Sequence, residues 1–265
     1  MLEILRLMSL KSLAVAAATV ALLAIPTPAS ATVPTIDGSY AFNGNGWAGT
    51  LLVSNSATGA PAITMHYTEL GNDERLTGSW SAASHTLTIN RPLPWNNSQT
   101  YTLYLGDHKP NSPVFGGYFT QSDVPGMHYG VYAKDYLPLG TARPATLRPA
   151  DGLPDGLVGV YGFNGNGWTG EMYIDFRLCN EPEITLWYDE RGQREEITQR
   201  DWDPATNTVT FVRPLGSGGV TQTYTMYFAN RLRSTEMFGG YFTESDVPGQ
   251  RFAAFAWLQP GAVGC

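Results

Sequence analysis

Twelve residues, Gly38-Ser-Tyr-Ala-Phe-Asn-Gly-Asn-Gly-Trp-Ala-Gly49, return as Gly159-Val-Tyr-Gly-Phe-Asn-Gly-Asn-Gly-Trp-Thr-Gly170. A second stretch, Phe115-Gly-Gly-Tyr-Phe-Thr-Gln-Ser-Asp-Val-Pro-Gly126, returns as Phe238-Gly-Gly-Tyr-Phe-Thr-Glu-Ser-Asp-Val-Pro-Gly249. Between them Arg91-Pro-Leu93 matches Arg213-Pro-Leu215, and the offset drifts only from 121 to 123. Ordered matches at a nearly constant spacing mark an internal duplication. Each half must therefore reach the same fold within little more than a hundred residues.

Turn residues divide each copy into short segments of strand character. In the first copy the pattern predicts strands near 38–43, 47–54, 62–69, 75–81, 85–91, 99–106, 114–120 and 128–134. In the second it predicts 159–164, 168–175, 183–190, 196–202, 207–213, 222–229, 237–243 and 250–257. Short connections favour antiparallel neighbours. Asn-Gly-Asn-Gly at 43–46 and 164–167 signals a tight hairpin, because Asn and Gly tolerate positive φ. The expected fold class is all-β: two tandem antiparallel up-and-down β-barrels of about eight strands each. Closure removes free sheet edges. A β-sandwich is the main competing architecture.

Alternation supports one buried and one wet face. Ile63, Met65 and Tyr67, then Leu87 and Ile89, fall on one face; in the second copy Met172 and Ile174, then Ile184, Leu186 and Tyr188, do the same.

Residues 1–31 read as a secretory signal: Lys11 flanks an apolar Leu13–Ile25, Pro26 and Pro28 end it, and Ala29-Ser30-Ala31 offers a cleavage site. The expected location is extracellular or periplasmic. Removing that segment leaves 14 basic and 22 acidic residues, a formal charge of −8. No basic cluster remains, so nucleic acid and anionic membrane surfaces are not expected partners. The expected organisation is a first barrel over 32–134, a Pro- and Gly-rich linker over 135–156 and a second barrel over 157–265. In an exported chain, Cys179 and Cys265 suggest a disulfide worth roughly 4 kcal/mol in the chain-entropy model.

Polar residues in phase with the buried face are the first candidates for a site. Tyr67 is followed by Glu69, and Tyr188 by Glu190; Leu87 and Ile89 lead to Arg91, with Arg213 its counterpart. A Tyr, a Glu and an Arg around a barrel mouth can orient a polar ligand above an aromatic interior. The competing reading is a barrel-end ion pair, which is the more common use of such residues. Trp47 and Trp168 fit either a binding floor or, more commonly, a core plug. Asn43, Asn45, Asn164 and Asn166 in the hairpins are further candidates, although turn chemistry alone accounts for them. The four His residues, His66, His85, His108 and His128, have no metal-ligand spacing and read as scattered surface residues. No catalytic or cofactor-binding fingerprint is present, so neither catalytic residues nor a cofactor nor a metal is assigned.

Several of these stretches resemble the avidin and streptavidin type of eight-stranded barrel. The opening Gly-x-Tyr is similar to that family's Gly-x-Trp, and Leu76-Thr-Gly-Ser-Trp80 to its fourth strand. Phe238-Gly-Gly-Tyr-Phe with Ala256-Trp257-Leu258 resembles its sixth and seventh strands. Lipocalin-like small barrels fit the strand pattern as well. The resemblance implies barrel shape more than biotin binding: the hairpin has Asn43 and Asn45 but no Ser, and Trp257 is matched in the first copy by Lys134.

Three function classes follow. The first is a secreted binding protein whose two units take a small molecule or present loops to a sugar or protein. The second is a hydrolase or cyclase using Glu69, Glu190, Arg91 and Arg213. The third is a structural or inhibitory protein with solid-packed barrels.

Overall fold

The computed structural model describes residues 35–108, 113–135, 157–178, 181–189, 192–216, 218–229 and 237–259. Within them the chain is all-β. The first barrel closes through eight strands: β1 (Gly38–Gly44), β2 (Trp47–Ser54), β3 (Ala62–Tyr67), β4 (Asn72–Ser81), β5 (Thr86–Pro92), β6 (Ser98–Gly106), β7 (Val114–Gln121) and β8 (Val124–Asp135). Each pairs antiparallel with the next, and β8 returns to β1 from Tyr40↔Asp135 to Gly44↔Val131.

The second barrel has nine strands rather than the expected eight: β9 (Gly159–Gly165), β10 (Trp168–Leu178), β11 (Glu181–Tyr188), β12 (Gln193–Ile197), β13 (Gln199–Asp203), β14 (Thr208–Leu215), β15 (Val220–Ala229), β16 (Met237–Glu244) and β17 (Val247–Leu258). The extra strand has a local cause. In the first barrel β4 turns a corner, its residues 72–76 pairing with β3 and Thr77–Ser81 with β5. In the second barrel β12 pairs with β11 and β13 with β14, and Thr198 lies between them. Leu76 and Ile197 are 121 positions apart, Trp80 and Trp202 122. One inserted residue at the corner thus breaks the strand and leaves the barrel nearly closed.

The hairpins behave as their sequence requires. Asn45 and Gly46 have φ of 51° and 85°, and Asn166 and Gly167 have 52° and 89°. Two successive positive φ values give the turn whose twist suits a two-residue hairpin. The Asn43 and Asn164 side chains brace it, each accepting from the backbone N–H three residues on at 2.9 Å.

Inside, both barrels are packed with apolar and aromatic side chains, including Tyr40, Leu51, Met65 and Phe115 in the first and Tyr161, Met172, Leu186 and Phe238 in the second. One end of each is plugged by the residue that enters it. The Tyr40 hydroxyl donates to the Ile36 carbonyl at 2.9 Å and the Tyr161 hydroxyl to that of Leu157 at 3.1 Å.

A third core lies between the barrels, where β6, β7 and β8 pack face to face on β15, β16 and β17. Val114, Tyr132, Ala229, Met237, Ala253 and Phe255 form it. Tyr132 and Phe255 hold equivalent positions in the two repeats and stack at 4.9 Å, 15° from parallel. Tyr104 on Tyr241 at 4.9 Å is mirrored by Tyr227 on Tyr118 at 4.8 Å. Reciprocal contacts of this kind define a two-fold relation, here internal to one chain. Glycine permits the close approach: a Cβ on Gly130 would lie 2.2 Å from the Tyr227 carbonyl oxygen.

The expected signal segment, most of the expected linker, Glu190, Cys179 and Cys265 lie outside the described residues, and with them the expected disulfide.

Candidate ligand-binding site

The hairpin end of each barrel holds a cavity opposite the plugged end. In the first it measures about 380 Å³ and is lined by Gly44, Asn45, Trp47, Tyr67, Leu70, Arg91, Gln99, Tyr101, Phe119, Gln121 and Tyr129. In the second it measures about 160 Å³, with Asn166, Trp168, Tyr188, Arg213, Tyr224 and Glu244 among its walls. Small-molecule pockets run from about 300 to 1,000 Å³, so only the first is of ligand size.

Three differences distinguish the two cavities. Ile89 is replaced by Phe211, which stacks on Tyr224 at 4.6 Å and 9° and occupies interior space. Gln121 is replaced by Glu244. Finally, the His108 ring, from the segment after β6 of the first barrel, stacks on Trp168 at 3.9 Å. Asn166 anchors that segment, its side-chain oxygen accepting from Asp107 N–H at 2.9 Å and its carbonyl from His108 N–H at 3.2 Å. The second mouth is thus partly covered by the first barrel.

Both cavities carry the same polar network. Arg91 donates from Nε and NH2 to the two oxygens of Glu74, each at 2.6 Å, and from NH1 to Gln99 Oε1 at 2.9 Å. Its guanidinium lies 4.6 Å from the centre of the Tyr67 ring. Arg213 repeats the arrangement with Glu195, Gln222 and Tyr188. Bidentate pairing of this kind is the strong form of the Arg–carboxylate contact. It also commits the cation, so Arg91 is held by its own protein rather than presented to an anion.

The network fixes the direction of its protons. Gln99 Oε1 can only accept, so the Tyr101 hydroxyl, 2.8 Å away, donates to it. Tyr101 has one proton, so in its 2.7 Å contact with Tyr67 the Tyr67 hydroxyl is the donor. Burial, then the neighbouring Tyr67, hold the Tyr101 hydroxyl well above the ordinary tyrosine range, and burial raises Tyr67 also. Both stay protonated. The Tyr67 oxygen, which makes no other hydrogen bond among the described residues, presents lone pairs at the cavity. Gln99 Nε2 donates onward to Gln121 at 2.8 Å, and Gln121 to Asp123 at 2.7 Å.

The sequence-derived candidates divide accordingly. Tyr67, Arg91, Asn45 and Trp47 meet at the first cavity, and Tyr188, Arg213, Asn166 and Trp168 at the second. Glu69 does not join them. The chain turns immediately after Tyr67, whose carbonyl accepts from both Leu70 and Gly71 N–H, and Glu69 sits exposed in that turn. Glu74, opposite Met65 on β4, is the carboxylate that reaches Arg91. Asn43 and Asn164 serve the turns. Trp47 and Trp168 are half-buried wall residues, not the core plugs that sequence favours. Sequence reasoning missed Glu74 and Glu195, Gln99 and Gln222, and Tyr101 and Tyr224. The duplicated Gln-x-Tyr, in phase with the buried face, was the available signal for the glutamines and tyrosines.

His66 is a surface residue, as expected, but the other three histidines are placed differently from a scattered surface set. His85 contacts Gln250 at 3.4 Å and His128 stacks on Tyr227 at 4.9 Å, so both join His108 where the barrels meet. No group of three or more His, Cys, Asp or Glu is placed to hold a metal among the described residues.

No family model and no curated protein matches the chain. Among solved structures it is similar to a provisionally assigned outer membrane protein from Bacteroides fragilis, at 13% identity and a TM-score of 0.23, over 84% of this chain and 98% of that one. It is also similar to a DUF3598-family protein of unknown function from Nostoc punctiforme, at 10% identity and a TM-score of 0.24, over 83% of this chain and 93% of that one. The fold assignment rests on strand pairing in the chain itself.

Proposed function

We propose that this is a secreted binding protein whose first barrel takes a small, uncharged, largely flat ligand bearing at least one hydrogen-bond donor. The observation that carries this reading is the cavity of about 380 Å³ with aromatic walls and an acceptor-only Tyr67 oxygen. Trp47, Phe119 and Tyr129 suit a flat apolar body. The donor answers Tyr67. Neutrality follows from the Arg91–Glu74 pair, which leaves no uncompensated charge to attract an ion. The avidin-like resemblance agrees with a ligand held inside such a barrel. The export signal supplies the secreted part of the reading.

The second barrel, with a smaller and partly covered cavity, acts on this view as a supporting copy. A hydrolytic role is less well supported: no carboxylate lines the first cavity among the described residues, and both Glu74 oxygens are taken by Arg91.

Native mass spectrometry of the full secreted chain tests the reading. One small-molecule adduct per chain, lost on denaturation and lost in Tyr67→Phe, is expected. Two adducts per chain would overturn the assignment to the first barrel alone, and one that survives Tyr67→Phe and disappears in Tyr188→Phe would place the ligand in the second barrel. A bare mass after exposure to native culture medium would favour filled barrels.

A further inference from the structure

The outer wall of the second barrel carries a feature that its interior does not explain. Alternation sends Met172, Ile174, Ile184, Leu186 and Tyr188 inward, so their neighbours in sequence face out. Strand register then aligns two outward rows: Glu171, Trp187 and Arg194 across β10, β11 and β12, and Val160, Tyr173 and Thr185 across β9, β10 and β11. These six residues border an open groove of about 290 Å³.

Trp187 is 40% exposed, unusual for the largest apolar side chain on a sheet face with room to cover it. Glu171 flanks it on one side, with one oxygen taking a weak 3.3 Å bond from Gln259. Arg194 flanks it on the other and makes no side-chain hydrogen bond or ion pair among the described residues. The first barrel lacks all of this. Its equivalents of Tyr173, Trp187 and Arg194 are Leu52, His66 and Asp73, and there His66 and Asp73 bond each other at 2.8 Å. Barrel architecture therefore does not require the aromatic pair or the free cation.

We propose that this groove binds a neutral pyranose oligosaccharide. A sugar ring has an apolar C–H face and a rim of hydroxyls, and the groove offers both complements. The indole of Trp187 supports the ring face, and Tyr173 supports the adjoining residue. Arg194 donates to hydroxyls, Glu171 accepts from them, and Thr185 does either. Other ligand chemistries fit less well. A wholly apolar ligand would bury Glu171 and Arg194 without partners. An anion would meet Glu171 and the field of a chain with formal charge −7.

The test is isothermal calorimetry of the full chain against cellohexaose, chitohexaose and mannohexaose. Binding to at least one is expected, weakened about tenfold in Trp187→Ala and in Arg194→Gln and unchanged in Tyr67→Phe. Trp187 is a surface residue, and thermal melts of each variant confirm that it is folded. Failure of all three sugars to bind at millimolar concentration overturns the proposal, as does wild-type affinity in both groove variants. Because Tyr67→Phe reports on the barrel interior and Trp187→Ala on its outer wall, either site can fail without the other.

Discussion

The ammonium of Lys134 lies 4.4 Å from the centre of the Trp257 ring, and these two residues occupy the same position in the two repeats. Near an internal two-fold, equivalent positions face each other. Two copies of the first repeat would bring two lysines together, and two copies of the second would crowd two tryptophans. The repeats have instead diverged into a complementary pair, a cation over an indole. Trp257→Lys should therefore cost about 3 kcal/mol, through lost packing and a repelling pair. The double exchange Lys134→Trp with Trp257→Lys should recover most of it. Urea unfolding of the wild type, both single variants and the double exchange measures both, and additive losses in the double exchange would show that the pair is not coupled.

The same interface limits backbone separation. A methyl group at Gly130 would meet the Tyr227 carbonyl oxygen at 2.2 Å and the Gly239 nitrogen at 2.6 Å, both backbone atoms that cannot swing aside. Gly130→Ala must then push the barrels apart and loosen the stack of Tyr132 on Phe255. A loss of about 2 kcal/mol is expected, together with greater near-ultraviolet dichroism change than Gly126→Ala, whose site is open. Gly126 has a φ of +87°, so its variant also loses stability, but without a change in aromatic packing.

Much of this architecture was legible because it is local and repeated. Asn-Gly pairs fix the hairpins, alternation fixes which side chains enter the barrel, and duplication lets each half confirm the other. Tyr67 and Arg91 were found by phase alone. Glu69 was misplaced because phase was carried past Tyr67, where the chain already turns; only the pairing of β3 with β4 reveals Glu74. The split of β12 from β13 is encoded in a one-residue change of offset, too small to read without the pairing. Barrel-on-barrel packing was hidden for a different reason. Strands such as β8 and β17 are apolar on both faces, which reads as a poor alternation until a second surface is seen to cover Tyr132, Phe255 and Trp257.

His128 gives the interface a pH dependence. It lies between the rings of Tyr118 and Tyr227, its Nδ1 buried without a partner, and burial holds it below the ordinary value of 6.5. Among the described residues, the rings packed on it are those of Tyr118 and Tyr227, and no carboxylate or cation is paired with it. The unfolded chain therefore takes up the proton first as pH falls. The stability contributed by neutral His128 is complete above about pH 6.5, declines as pH drops toward the lowered folded-state value, and is level below it. Across the internal two-fold the equivalent residue is Arg251, held over Tyr104 and Tyr241 and permanently charged. Melting temperatures taken between about pH 5 and pH 8 should fall at the acid end more for the wild type than for His128→Gln. Parallel curves would remove His128 from the account.

Cavity size offers the most direct exchange between the barrels. Ile89 in the first and Phe211 in the second are equivalent, both fully buried, and each is paired across the sheet with the cavity tyrosine, Tyr101 or Tyr224. Ile89→Phe should import the packing of the second barrel, fill the first cavity beside Tyr101 and abolish the adduct expected in native mass spectra. Its cost should be modest, about 1–3 kcal/mol for overpacking. Phe211→Ile should do the reverse, enlarging the second cavity at a loss of about 2 kcal/mol for the removed ring atoms. It should not by itself create a second binding site, because His108 still stacks on Trp168 at that mouth. Adding His108→Gly to Phe211→Ile should raise the adduct count from one to two per chain. An unchanged count would mean that the Gln121-to-Glu244 difference, rather than space and cover, sets which barrel is used.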